Sequence, residues 1–127
     1  MEAAIYSILS GTAGVTALVS TRIYPTKAPQ SVTYPCVIYA RDSLEVEEAL
    51  SASTTIRYGM FEVMAVASSY SGAKALGDAI RTALNRYAGT AGGITVLDVN
   101  VINEGDEYDD DLNVFIKRIE IRATYRE

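Results

Sequence analysis

Acidic side chains crowd one short stretch near the C-terminal end of the sequence. Six of the eight residues from Glu104 to Asp111 are acidic, namely Glu104, Asp106, Glu107, Asp109, Asp110 and Asp111. Ca²⁺ prefers oxygen ligands, but an EF-hand loop requires alternating acids, a glycine at its sixth position and a glutamate at its twelfth. The segment EGDEYDDDLNVF has Phe115 at the twelfth position. We therefore expect a solvated loop here, rather than a specific ion site.

A second acidic group could supply the paired carboxylates of a glycosidase; it consists of Glu45, Glu47 and Glu48. Such an enzyme holds two carboxyl groups roughly 5–9.5 Å apart across a sugar-binding cleft. The group falls at the expected tip of a hairpin, and the sequence has no tryptophan to form a sugar platform. The segment SYSGAKALG precedes a helix but lacks the Gly-Lys-Ser/Thr ending of a phosphate-binding loop. Neither arrangement predicts catalysis.

The sequence contains no histidine and a single cysteine. The absence of histidine excludes Ser–His and Cys–His catalysis and removes the commonest metal ligand. Cys36 follows Pro35 and opens an apolar run, which indicates a buried thiol rather than a nucleophile. We expect neither enzyme activity nor a cofactor.

Length and charge narrow the class of protein further. With 127 residues, 49% of them hydrophobic, the chain is expected to form one domain over residues 1–127. A net charge of −5 argues against a nucleic-acid binder, because such proteins present a basic face. No stretch approaches the roughly 20 apolar residues of a membrane span, and the first residues lack the basic start of a signal peptide. We expect a soluble protein without an export signal.

The order of patterned segments predicts an α+β fold. A helix over EAAIYSILS is followed by a short helical turn, a crossing that contains all three prolines, and two strands, CVIYARDS and TTIRYGMFEVMAVAS. The hairpin tip is expected near residues 44–53. A helix capped by Ser71 comes next, then the strand ITVLDVNVI and a closing strand. The prediction is α-β-β-α-β-β, an antiparallel four-stranded sheet with helices packed on one face.

The closing strand alternates between apolar and polar residues. One face is expected to carry Phe115, Ile119, Ile121, Ala123 and Tyr125, and the other Arg118, Glu120, Arg122, Thr124 and Arg126. This pattern is typical of a sheet with one solvated face. Beside an acidic loop, the arginines Arg118, Arg122 and Arg126 suggest charge-complementary contact between neighbouring copies. A face that is merely solvated explains the same pattern, and both interpretations stay open.

Nine tyrosines are spread over the sequence. Tyrosine is enriched in interfaces, because its ring packs while its hydroxyl finds a hydrogen-bond partner. We expect most of them to border the core. The tyrosines expected on loops are the candidate subunit contacts, namely Tyr24, Tyr34 and Tyr108.

Taken in order, these segments resemble the small tail completion proteins of long-tailed phages, a family that includes tail-to-head joining proteins and is similar in fold to tail terminators. The resemblance rests on a short helix before Arg22-Ile23-Tyr24-Pro25, and on Tyr34-Pro35 entering the strand that begins at Cys36. It continues through FEVMAVASSYSGAKALGDAIRTAL and through the acidic EGDEYDDD before the final strand. It covers nearly the whole chain.

The resemblance implies a hexameric ring at the head-proximal end of the tail tube in the virion, assembled in the host cytoplasm. Such a ring stops tube growth, contacts the tail tube protein and docks the head connector or a head-completion protein. DNA would pass through its lumen without specific binding, and the residues from Glu104 to Asp111, including Tyr108, would suit an acidic lining. The segment 43–55, with Glu45, Glu47 and Glu48, would reach a neighbouring subunit.

Two other functions stay open on sequence grounds. One is another ring-forming virion component, such as a tail tube or head-completion subunit. The other is a small acidic domain that binds an ion or ligand, for which an ion-dependent rise in melting temperature would be the sign.

Overall fold

The computed structural model of the protein describes residues 1–48 and 55–126. The elements in chain order are α1 (Glu2–Ser10), α2 (Ala13–Val19), β1 (Ile23–Pro25), β2 (Cys36–Glu48), β3 (Thr55–Ala67), α3 (Tyr70–Leu84), β4 (Gly89–Ala91), β5 (Ile94–Asp109) and β6 (Val114–Arg126). Among the described residues no single helix is long and apolar enough to cross a membrane; α1 and α2 together reach that length and composition, but they meet at a bend of 83°.

The sheet has six strands in the order β1-β2-β3-β6-β5-β4. The prediction of a four-stranded antiparallel sheet is therefore wrong, although the α+β class agrees. The four long strands are antiparallel neighbours, as expected. The three-residue strand β1 adds to β2 in parallel and β4 adds to β5. Both edge strands are too short for a two-residue periodicity to be visible in the sequence.

Two segments predicted to be loops are mostly strand. The acidic stretch from Glu104 to Asp109 continues β5 and pairs with β6 as far as Val114, so that only residues 110–113 form the turn. Residues 43–48 continue β2 and pair with β3, where a loop and hairpin tip were expected. The rest of the predicted tip, 49–54, lies outside the described residues.

The core lies between the helices and one face of the sheet, which we call the helix-covered face. Alternate residues of the long strands point into it, and apolar residues of all three helices fill the other side. The largest side chains that are essentially inaccessible to solvent are Ile5, Leu9, Phe61, Leu76, Ile80, Leu84, Ile119, Ile121 and Tyr125, with Met1. Burial of aliphatic and aromatic side chains contributes roughly 1.5–3 kcal/mol each, so this layer stabilises the whole sheet.

The helix α3 begins two residues earlier than expected. Ser69 is its N-cap and its hydroxyl oxygen accepts a hydrogen bond from the Gly72 amide at 3.1 Å, whereas Ser71 had been predicted as the cap. Starting at Tyr70 brings that ring into an edge contact with Phe115. After the helix, Gly92 and Gly93 both have positive φ and form the β4–β5 turn, a conformation that favours glycine at both positions.

The opposite side of the sheet is only partly covered. At one end, Tyr24 of β1 and two residues of the crossing that follows, Val32 and Tyr34, pack against a second small cluster around Cys36, Val66 and Val114. The remainder carries half-buried and exposed side chains such as Tyr58, Met60, Arg122 and Thr124. We call this remainder the open face.

Candidate assembly surface

The acids of β5 are distributed over both faces of the strand. A bulge between Val101 and Asn103 sets the register so that Glu104 pairs with Ile119 and Asp106 with Lys117 on the helix-covered face. Glu107 pairs with Ile116 on the other face. Carboxylates that alternate between faces cannot converge on one ion. Among the described residues, no group of three His, Cys, Asp or Glu side chains is placed to hold a metal.

Three of these acids contact basic side chains of the same chain. Arg81 Nη1 donates to Glu104 Oε1 at 2.9 Å, and this hydrogen bond raises the pKa of the Arg81 guanidinium. Arg81 also pairs with Asp78, whose pKa is lowered first by its hydrogen bond from Lys74. Lys117 Nζ lies 3.9 Å from Asp106 Oδ1, and Arg118 contacts Glu107. The first half of the acidic stretch thus fastens β5 to α3 and β6.

The second half of the stretch builds the β5–β6 turn. Asp109 Oδ1 accepts hydrogen bonds from the backbone amides of Asp111 and Leu112 at 2.9 and 3.1 Å. Tyr108 donates its hydroxyl proton to Asn113 Oδ1 at 3.1 Å, and its ring centroid lies 4.8 Å from that of Phe115. Asp110 and Asp111 are exposed and have no ion-pair partner within the described parts of the chain. The turn is therefore well ordered, with two carboxylates directed to solvent.

Two large side chains stand exposed at this turn. Tyr108 is 48% exposed and Leu112 is 59% exposed, the latter the most exposed large hydrophobic side chain among the described residues. Neither is needed to fill the core. We call Tyr108, Asp110, Asp111 and Leu112 the tip patch. The sequence pointed to Tyr108; Leu112 was missed, although it is the one large aliphatic residue directly after three aspartates.

The three arginines predicted on the outer side of β6 are there, but they differ in their surroundings. Arg118 forms ion pairs with acids of the two neighbouring strands. Its Nε lies 2.7 Å from Glu62 Oε1, and its guanidinium also contacts Glu107. Arg122 and Arg126 are exposed and contact no acidic group among the described side chains. Arg122 borders a depression of about 630 Å³ with Ser43, Tyr58 and Met60. We call Tyr58, Met60, Arg122 and Arg126 the face patch.

The remaining predicted contact residues lie elsewhere. Tyr24 and Tyr34 are half-buried against the cluster around Cys36. Glu45, Glu47 and Glu48 lie in β2 opposite Tyr58, Ile56 and Thr55, and their side chains fall outside the described residues. Cys36 is fully buried, and burial raises the pKa of its thiol to about 11, as expected of a core thiol rather than a nucleophile.

Comparison with known proteins identifies relatives of this chain. The model of the family described as Tail completion protein gp17 matches residues 3–126. No curated protein matches the sequence. Among solved structures, a chain of the "Virion of native gene transfer agent (GTA) particle" superposes with a TM-score of 0.76 at 18% identity, covering 100% of this chain and 95% of that chain. At this identity the likeness concerns the fold.

Proposed function

This chain belongs to the tail completion protein gp17 family, and from that premise we propose that it forms a ring at the head-proximal end of a phage tail tube. At the coarser level the chain is a structural, tail-associated virion protein that assembles with other virion proteins. In the proposed role, the ring ends the growth of the tube and joins the tail to the head connector. We propose a hexamer.

The observation that carries this proposal is the extent of the family match. Residues 3–126 span the described helices and strands apart from the first residue of α1, so the match covers nearly the whole chain. The surfaces of the domain suit assembly. The tip patch exposes an aromatic and an aliphatic side chain on an ordered turn, and aromatic and aliphatic anchors on ordered backbone are favourable in interfaces.

The charge of the chain suits a ring through which DNA passes. Each copy carries a net charge of −5, which disfavours adhesion to a polyanion. Glu104, Asp106 and Glu107 are engaged with Arg81, Lys117 and Arg118, so they contribute less free negative charge than their number suggests. We propose that repulsion of DNA arises from the overall negative charge of the subunit.

Purified tail tubes test the proposal directly. Tubes assembled without this protein should keep elongating, and adding the protein should stop elongation and allow purified heads to attach. Negative-stain images should show an added ring at one end of each tube. Tubes that continue to grow and fail to accept heads after addition would refute the proposed role. Binding to heads but not to tubes would instead identify a head-completion subunit, the alternative virion component.

A further inference from the structure

The tip patch lies on a turn whose conformation is fixed by hydrogen bonds. Asp109 fixes the turn through two backbone amides, and the Tyr108 hydroxyl is hydrogen-bonded to Asn113. The Tyr108 and Phe115 rings are in contact. A turn whose backbone is already held in place loses little conformational entropy on binding. Tyr108 pairs with Phe115 on the helix-covered face, whereas Leu112 borders a depression on the other side with Val32 and Tyr34. The exposed Leu112 and the carboxylates of Asp110 and Asp111 are therefore the anchor that this turn presents on the side of the open face.

The face patch offers the complementary surface. Met60 and Tyr58 are half-buried and form the apolar floor of the depression next to Arg122, which gives room for an inserted side chain. Arg122 and Arg126 lie four residues apart on the same face of β6, both exposed and without an acidic partner in the described parts of the chain. An apolar floor and two guanidinium groups without an acidic partner among the described side chains match the leucine and the two carboxylates of the tip patch.

The two patches of one molecule cannot meet. They lie towards opposite ends of β6, and Asn113 and Arg122 are nine positions apart, which corresponds to roughly 30 Å along a strand. Any contact between them must therefore join two copies. Because the two surfaces are different, the contact is head-to-tail, and it generates a ring when its rotation closes.

We propose that the tip patch of one copy docks on the face patch of the next copy, with Leu112 entering the depression beside Met60 and with Asp110 and Asp111 facing Arg122 and Arg126. This inference rests on the proposed function, because it names the contact through which the ring forms. The contact forms in the free protein and requires no tail tube.

Charge reversal tests the contact in the intact chain. Asp111→Arg places a positive side chain opposite the native Arg122, and Arg122→Glu places a negative side chain opposite the native Asp111. Each variant alone should self-associate at least about tenfold more weakly than the native chain, because like charges opposed in an interface are strongly unfavourable. Arg41→Glu is the matched control, since Arg41 is exposed and lies opposite Phe61, away from the open face. Self-association is measured by light scattering over a concentration series, with circular dichroism to verify folding.

An equimolar mixture of the two reversed variants is the decisive sample. Every contact in it can pair the substituted tip with the substituted face or the native tip with the native face, so that positions 111 and 122 carry opposite charges in each contact. Assembly should therefore return to near the native level with alternating copies. Loss of folding cannot produce such a rescue. Variants that associate as well as the native chain, or a mixture that stays dissociated, would overturn the inference.

The outcome separates this inference from the proposed function. A native chain that remains monomeric at its highest soluble concentration would overturn the contact in the free protein, whereas tube termination and head joining would still be judged on tail tubes. Conversely, a ring that forms through the two patches but does not stop tube growth would keep the contact and refute the function.

Discussion

Arg118 on β6 and Glu62 on β3 form an ion pair across the sheet, with Nε and Oε1 2.7 Å apart. Glu107 of β5 contacts the same guanidinium, so one arginine joins three adjacent strands. The consequence for assembly is that Arg118 is already engaged within its own chain. Arg122 and Arg126 are the arginines of β6 that remain available to a partner.

Removal of Arg118 should destabilise the sheet modestly. The Arg118 and Glu62 side chains are 35% and 20% exposed, so solvent weakens the ion pair, and we expect Arg118→Ala to lower the free energy of unfolding by about 1 kcal/mol. Arg126→Ala is the control, with an expected change within about 0.5 kcal/mol. Urea denaturation followed by circular dichroism measures both. Equal losses in the two variants would show that the Glu62 pair contributes nothing.

Cys36 should make stability depend on pH in the alkaline range. Burial raises the pKa of its thiol from 9.0 to about 11, opposed in part by the charge of Arg22. A thiol whose pKa is higher in the folded state ionises first in the unfolded chain. Its contribution is therefore fully present below pH 9 and is lost as pH rises to about 11, on the order of 2 kcal/mol. Between pH 8 and pH 11, the melting temperature of Cys36→Ala should fall less steeply with pH than that of the native chain. Parallel curves would contradict the prediction.

Gly92 and Gly93 provide a matched pair at the β4–β5 turn. Both have positive φ, but a Cβ on Gly92 would lie 2.6 Å from the Ala3 carbonyl oxygen, whereas a Cβ on Gly93 would meet nothing within 4 Å. We expect Gly93→Ala to cost about 1 kcal/mol from backbone strain alone. Gly92→Ala should cost clearly more, because α1 must also move. Chemical denaturation measures the free energy of unfolding of both variants. Equal losses would mean that α1 moves away from the new Cβ without a measurable cost.

Leu112 should matter for association and not for folding. Because it is already 59% exposed, Leu112→Ser should leave the free energy of unfolding within about 0.5 kcal/mol of the native value. In the proposed contact it buries its side chain, which is worth roughly 1.5–3 kcal/mol, so self-association should weaken by about tenfold or more. Leu18→Ser, at an exposed leucine of α2, is the control. Sedimentation velocity measures both, and equal association constants for Leu112→Ser and the native chain would exclude Leu112 from the interface.

The four long strands and α3 could be predicted because their apolar periodicity is regular over many residues. On β6, Ile119, Ile121, Ala123 and Tyr125 lie in the core as predicted, whereas Phe115 is half-buried. The strand character of Glu104 to Asp109 was missed because acids disfavour strands. Here the tertiary context overrides that preference, since Lys117 and Arg118 on the neighbouring strand neutralise Asp106 and Glu107.

The candidate site was predictable only in part. The alternation in β6 placed Arg122 and Arg126 on an exposed surface, but nothing in the sequence distinguishes them from Arg118, whose partner Glu62 is 56 residues away. A pair so distant in sequence is visible only once β3 and β6 are adjacent. The same holds for the depression beside Arg122, whose floor comes from β3.

The adjacency of β3 and β6 also bears on how the chain reaches its native state. The hairpins β2–β3 and β5–β6 each join strands close in sequence, but the centre of the sheet joins Ile56 to Arg126 and Ala67 to Phe115. Such non-local pairing closes a long loop and slows folding. On the ribosome, the inner edge of β3 stays without its neighbour until the last strand has been synthesised. An unpaired strand edge is a template for pairing with another chain, and β3 has such an edge until β6 pairs with it.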